Sequence, residues 1–348
     1  ATSADLQGGV LPSGTLVFDQ GEVSKTITLR VVGDTTVEAN EIFTVTLSSP
    51  SVGTLGTAVA NATVNNDDIS FSIAADAAQV NEGHSGTTQV TYTITRNGNA
   101  SQAASVSWSV PTGGGLDATD FGGSMPSGTV SFAAGETTKQ ITINVSGDTV
   151  VENDETLNVV LSGPSAGTIE AGQGSASTVI RGDDDSFAIA AGVASINESH
   201  SGTLALTFTV TRTGPAQGTR TLDWAATGMS ASDFVGNSVP SGTLTFADGE
   251  TVKTITVNVA GDTTVESNET LTVTLSNPSA GATITTASAQ TIVTNDDASV
   301  SIVSQAADAF EGNVGTVALT FQISRTGDLT QSSTTEWRVT GSGANPAN

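Results

Sequence analysis

Apolar and polar residues alternate with a period of two along much of this chain. In VTYTITR, Val90, Tyr92 and Ile94 fall on one face and threonines on the other. Ile141, Ile143 and Val145 repeat the pattern in KQITINV, and Leu157, Val159 and Leu161 repeat it in TLNVVLS. Successive side chains of an extended chain point to opposite faces, so this is the period of a half-buried strand. Residues 69–185 contain seven such stretches, the first running through ISFSIAADAAQVNEG to Glu82, with turns such as AAGE between them and no helical period. That spacing predicts a β-sandwich of two antiparallel sheets. Residues 186–297 repeat the series; residues 1–68 carry its last four strands and 298–348 its first three. Two whole repeats are thus flanked by the back half of one and the front half of another. No Pro- or Gly-rich linker separates them, and each terminal aspartate run leads straight into the next first strand.

A short acidic stretch marks the period. GDTTVEANE begins at Gly33, GDTVVENDE at Gly147 and GDTTVESNE at Gly261, so that Asp34, Asp148 and Asp262 are spaced by 114 residues. A fixed period of this length signals a repeat array. Each copy holds three acids: Asp34, Glu38 and Glu41; Asp148, Glu152 and Glu155; Asp262, Glu266 and Glu269. Strand patterns on both sides make the stretch a loop between two β-strands. Two readings stand at this point. The acids form a solvated turn that aids solubility, or they hold a cation. At ~4 Å and an effective dielectric near 20, each like-charge pair costs about 4 kcal/mol unless a cation intervenes. Hard carboxylate oxygens suit calcium.

Composition narrows the field. Ten basic against thirty-five acidic residues give a net charge of −25. That excludes the basic face nucleic acid requires and disfavours an anionic membrane surface. There is no cysteine, hence no disulfide, thiolate metal site or cysteine nucleophile. No apolar run is long enough for a transmembrane helix, and no signal peptide opens the chain. Aromatics are only 4% of the residues. The balance is that of an extracellular all-β repeat protein rather than an enzyme.

Taken together, several motifs resemble the Calx-β repeat. They are NEG in the first strand, R-x-G after the second, D-F ahead of PSGTVSF, a GE-x-x-K strand, the GDT-x-VE-x-x-E loop and a closing DD or DDD. That family includes calcium-sensing domains of the Na⁺/Ca²⁺ exchanger and tandem arrays of bacterial surface proteins. The resemblance covers the whole chain and implies an immunoglobulin-like, seven-stranded antiparallel sandwich with calcium at one end. It implies ligands at Glu82, Asp120, Asp148, Glu152, Glu155, Asp183, Asp184 and Asp185 in the second repeat. In the third they are Glu198, Asp233, Asp262, Glu266, Glu269, Asp296 and Asp297, with Asn295 where the family often has aspartate. The first repeat keeps Asp5, Asp34, Glu38, Glu41, Asp67 and Asp68, and the last keeps Glu311. Gly33, Gly147 and Gly261 stand where exchanger domains carry a further aspartate, which implies fewer or weaker sites.

Other signals are better read as structure. GPSAG around Ser165 matches a nucleophile elbow, but no helix follows it, and its counterparts read SPSVG and NPSAG. His84 and His200 occupy the same turn of successive repeats and read as turn histidines. Arg181–Asp183 spells RGD in one repeat only, and a tryptophan at one strand position of each repeat (Trp108, Trp224, Trp337) reads as packing. The expected function is a calcium-binding structural region of a long secreted or surface protein: an adhesin stalk, matrix component or filament, with calcium stiffening its junctions. A regulatory calcium-sensing array is the alternative. The expected partners are neighbouring copies or repeats joined end to end, with a cell-surface or glycan target besides. Residues 298–348 followed by 1–68 compose one complete repeat, within a continuous fibre or between subunits head to tail.

Overall fold

The computed structural model describes residues 1–306, 308–310 and 312–341, and the expected ligand Glu311 lies outside them. The chain divides into two compact units, residues 1–148 with 152–182, and residues 149–151 with 183–348. Strands dominate both, and helix is confined to two 3₁₀ turns among the described residues.

In residues 1–68 only two strands form a ladder, β1 (Glu41–Thr46) and β2 (Val59–Val64), where the sequence predicts four. TLVF and TITLRVV have strand periodicity, yet a single bridge from Leu6 to Val31 is all the pairing they make. Their counterparts in the complete sandwiches pair with strands that residues 1–68 do not contain. Val17 and Phe18 consequently remain 67% and 54% exposed. Alternation sets which face a residue takes; forming the strand needs a neighbour for its N–H and C=O groups.

The first complete sandwich contains β3 (Ile69–Ala75), β4 (Gln79–Asn81), β5 (Thr87–Gly98), β6 (Ala104–Ser109), β7 (Ser127–Phe132), β8 (Thr138–Ser146), β9 (Glu155–Ser162), β10 (Thr168–Ile169) and β11 (Ser175–Arg181). One sheet has the order β10-β3-β5-β8 and the other β4-β11-β9-β6-β7. The seven expected strands are present. The first of them, however, breaks into β3 and β4, which lie in different sheets, and the two-residue β10 is added. Asp76 marks the break: its N–H donates to Thr91 O, and its carboxylate accepts from Thr93 Oγ1 and Gln140 Nε2. The chain then crosses to run parallel to β11, with Val80 opposite Ile180. Most ladders are antiparallel; the short pieces β4 and β10 pair parallel. Phe71, Tyr92, Ile94, Phe132 and Leu157 fill the space between the sheets, fully buried, and Tyr92 satisfies its hydroxyl on Leu157 O at 3.0 Å.

The second complete sandwich repeats the plan with β12 (Asp185–Ala191), β13 (Ser195–Asn197), β14 (Gly202–Thr213), β15 (Arg220–Thr227), β16 (Ser241–Phe246), β17 (Val252–Gly261), β18 (Glu269–Ser276), β19 (Ala282–Thr286) and β20 (Ser288–Thr294). Its sheets are β17-β14-β12-β19 and β13-β20-β18-β15-β16. Phe187 and Phe246 meet at 5.1 Å as Phe71 and Phe132 do at 5.6 Å. Trp108 and Trp224 lie directly opposite Gly128 and Gly242 on the neighbouring strand, so each indole covers a position without a side chain. Beyond it, β21 (Ala298–Ser304) pairs with β22 (Phe321–Gly327), and Trp337, expected on a third strand, is 76% exposed.

Asp185 has a different role from the ligand role the Calx-β resemblance implies. It opens β12 with no exposed surface. Its Oδ2 accepts from Arg212 Nη2 at 2.7 Å and from Arg220 Nε at 3.0 Å, while Oδ1 accepts from Ala216 N at 3.2 Å. Its oxygens are thus engaged by guanidinium and amide groups. In the first complete sandwich Ile69 opens the equivalent strand and Arg96 matches Arg212, so an apolar residue fills the place of this carboxylate. Removing one member of a buried ion pair strands the other charge, at a cost of about 3–5 kcal/mol. Asp185→Ala is therefore expected to lower the stability of its sandwich by that amount. A chemical denaturation curve that matches wild type would contradict this placement.

Candidate metal centres

The strand pattern gathers the acids at the ends of the sandwiches. Breaking the first strand into two places Glu82 and Glu198 just beyond β4 and β13, where the Glu82 N–H bonds Arg181 O and the Glu198 N–H bonds Thr294 O, both at 3.0 Å. Each glutamate therefore stands beside the last strand of its own sandwich. Both are buried.

Three acids converge in the second complete sandwich. Asp233 ends the 3₁₀ turn Ala231–Asp233, held there by Ser230 N donating to its Oδ2 at 2.6 Å. Glu266 lies in the acidic loop and Glu269 opens β18. Asp233, Glu266 and Glu269 offer carboxylate oxygens all within 4.8 Å of one another. Asp5, Glu38 and Glu41 make the same trio in residues 1–68. The spacing along the sequence is identical in the two, so one construction recurs. In the first complete sandwich Glu155 opens β9 among Asp120, Glu152 and Asp117, whose charges act on it. Asp34 and Asp262 stand beside the trios and also brace the loop, each accepting at 2.6 Å from the backbone two residues on, Thr36 N and Thr264 N.

An asparagine braces the loop from the other side. Asn295 Oδ1 accepts from Glu266 N at 3.1 Å, its N–H donates to Asn268 Oδ1 at 3.1 Å, and its Nδ2 donates to Asp297 O at 3.0 Å. Asn66 makes the same three bonds to Glu38 N, Asn40 and Asp68 O. These asparagines hold the acidic loop to the closing acids. Recurrence of Asn before the final DD was their signal in the sequence. Asp67 and Asp68 align with Asp296 and Asp297, and with Asp183 and the buried Asp184, so that Asp185 belongs to the following strand.

The acidic loop also touches the next repeat at the two junctions that lie inside a compact unit. Asp68 O accepts from Asn99 N, and Asp297 O from Asp328 N. At these points Gly98 and Gly327 have φ of 83° and 91°, and a Cβ on either would fall 2.2 or 2.3 Å from the aspartate carbonyl. It would also press on Val37 or Val265 of the acidic loop, at 3.0 and 2.8 Å. The R-x-G motif is therefore the seat on which the preceding acidic loop rests.

The Calx-beta domain family matches residues 10–68, 64–185 and 181–303. The chain belongs to the Calx-beta family. Adhesion G-protein coupled receptor V1 of Danio rerio is 30% identical over 287 residues, 79% of this chain, and the chain spans about 4% of that relative's length. Crystal structures of CBD12 from CALX1.2 and of the calcium binding domain CBD12 of CALX1.1 are 23% and 20% identical. They cover 59% and 63% of this chain, and 80% and 98% of their own, with TM-scores of 0.30 and 0.31. Among the described residues of this Calx-beta chain, no helix is long and apolar enough to cross a membrane.

Crowding shows in the protonation of these Calx-beta acids. Burial, then the charges of Asp233 and Glu266, push Glu269 up to about 7. Burial and the charges of Asp262, Glu266, Asp297 and Asp233 do the same to Glu198, and burial with Asp120, Glu152 and Asp117 raises Glu155 equally. Glu38, Asp68 and Glu266 are raised as well, by burial first. Three oxygen donors that resist ionising side by side fit a hard divalent cation, which supplies the missing positive charge. A glutamate at its ordinary 4.5 when unfolded and about 7 when folded binds more protons in the native state between those values. The contribution of these three glutamates to the stability of the metal-free chain is therefore expected to be full at about pH 4.5 and to be lost as pH rises through about 7. Glu136 and Glu250, lowered by hydrogen bonds from Lys139 and Lys253, act below this window. Melting temperatures in chelator that stay level or rise between those pH values would contradict the placement of the acids.

Proposed function

We propose that this Calx-beta chain is a calcium-binding structural region of a long extracellular or cell-surface protein, in which calcium held by the carboxylate trios stiffens the joints between repeats. The observation that carries this reading is that the trio recurs, as Asp5/Glu38/Glu41 and Asp233/Glu266/Glu269, with its middle glutamate on a loop whose Val37 or Val265 rests on the next repeat. A cation that ties the loop's acids together fixes the loop, and a fixed loop fixes the neighbour that sits on it. Similarity to part of an adhesion receptor supports a surface setting. The apolar rows left open in residues 1–68 and 298–341 fit covering by strands of an adjoining repeat, in the same long chain or in a second copy end to end. Val10, Ile302 and Trp337 are 68%, 59% and 76% exposed there. That arrangement makes a stalk or filament.

A ligand that binds only the native state adds about 2.7 kcal/mol at a hundredfold excess over Kd. Calcium is expected to raise the melting temperature and chelator to reverse it; no change with saturating calcium would remove the reading. Glu152→Gln with Glu155→Gln is expected to lower the calcium stoichiometry while the strand signal in circular dichroism stays unchanged. Wild-type stoichiometry in that double variant would discard these ligands. Affinity separates a structural region from a sensor: extracellular modules bind calcium at about 10⁻⁴–10⁻³ M and sensors at about 10⁻⁷–10⁻⁵ M.

A further inference from the structure

The second complete sandwich carries another group of metal-ligating side chains, and its chemistry differs from that of the trio. His200, on the turn between β13 and β14, has Nδ1 2.5 Å from Asp297 Oδ1 and 3.8 Å from Asp296 Oδ1. One ligand atom from each of the three residues lies within 4.8 Å of the others. Ser199 N, next to the histidine, donates to Asp296 Oδ1 at 3.2 Å and ties the turn to the closing acids. Asp297 is 4% exposed, and its Oδ2 is buried with no hydrogen-bond partner among the described residues. A buried carboxylate oxygen left unmatched is costly, by more than a neutral acceptor would be. The imidazole is 64% exposed, so the group opens to solvent on the histidine side.

We propose that His200, Asp296 and Asp297 form a second cation site, selective for a transition ion of the zinc class. Calcium takes oxygen ligands, and an imidazole nitrogen adds nothing to its preference. Imidazole with carboxylates suits zinc, copper or nickel, and three protein ligands with water in a remaining position is a common open zinc arrangement. Asp297 supplies a buried, dehydrated charge, Asp296 a half-buried one, and His200 the nitrogen that sets the selectivity. The sandwich end then holds two positions of different character, an all-oxygen one at Asp233/Glu266/Glu269 and a mixed one beside it. A turn histidine and a metal ligand are indistinguishable in sequence. What decides between them is the contact with two acids that arrive nearly a hundred residues later.

The test uses the full chain, whose only histidines are His84 and His200, so that two imidazoles are assigned by single His→Ala variants. Zinc chloride is titrated with calcium chloride held constant, and the ring nitrogens are followed by ¹⁵N NMR beside calorimetry. Zinc is expected to move the His200 Nδ1 resonance, and calcium alone to leave it in place. His200→Ala and Asp297→Asn are each expected to weaken one zinc step by at least about tenfold, and His200→Ala to leave the calcium heat unchanged. A His200 resonance indifferent to zinc, or moved equally by calcium, overturns the proposal. So does an unaltered zinc isotherm in His200→Ala. Calcium heats in the same titrations test the structural reading separately, since the zinc step stands if they are absent and they stand if it is.

Discussion

Repulsion among carboxylates held at the end of a sandwich is the constraint on which the rest of this structure turns. The folded chain brings together acids that it could keep apart at no cost in an unfolded state. Glu155, Glu198 and Glu269 are each pushed up to about 7 by burial and by their neighbours. Such an end is stable only because other interactions secure the backbone that carries it. Two buried cores of aromatic and aliphatic side chains supply most of that support.

Hydrogen bonds then fix the acids where repulsion would disperse them. Asn66 and Asn295 each tie the acidic loop to the closing pair of aspartates by three bonds, and Asp34 and Asp262 fold the loop's own start. The loop meets the following repeat through Val37 on Gly98 and Val265 on Gly327. Electrostatics at the acids and geometry at the junction are therefore linked by a few residues of backbone. Relief of the repulsion by a cation acts on the same residues that seat the neighbour. The buried pairing of Asp185 with Arg212 and Arg220 serves a separate purpose, closing the core of its own sandwich at the start of β12.

Much of this is legible in the sequence because it is written locally. Val90, Tyr92 and Ile94 alternate with threonines, and all three are buried. The acidic stretches of the two complete sandwiches join β8 to β9 and β17 to β18, as their flanks imply, and the family follows from motifs that recur at one period. What was not legible depends on partners distant in the chain. Asp185 reads as one more member of an acidic run; only Arg212 and Arg220, folded against it, give it another role. ISFSIAADAAQVNEG reads as one strand because alternation persists across Asp76, and the change of sheet there depends on Thr91, Thr93 and Gln140. TLVF and TITLRVV carry full strand periodicity in residues 1–68 without forming ladders, since pairing needs a neighbour that periodicity cannot supply. His200 sits on a turn, as the sequence implies, but its contact with Asp297 depends on a residue far along the chain.

The central claim is that a cation at the carboxylate trio orders the joint between one repeat and the next. The chain has no cysteine, so paired spin labels can be placed cleanly. Thr256→Cys on β17 and Gln322→Cys on β22, both exposed, span the joint beyond Asp297. Pulsed electron resonance on the full chain then reports the distribution of distances with chelator and with saturating calcium. The account predicts a broad distribution that narrows when calcium binds, and a smaller narrowing in a chain carrying Glu266→Gln and Glu269→Gln. Equal widths in both conditions, with calcium shown to be bound, would contradict it.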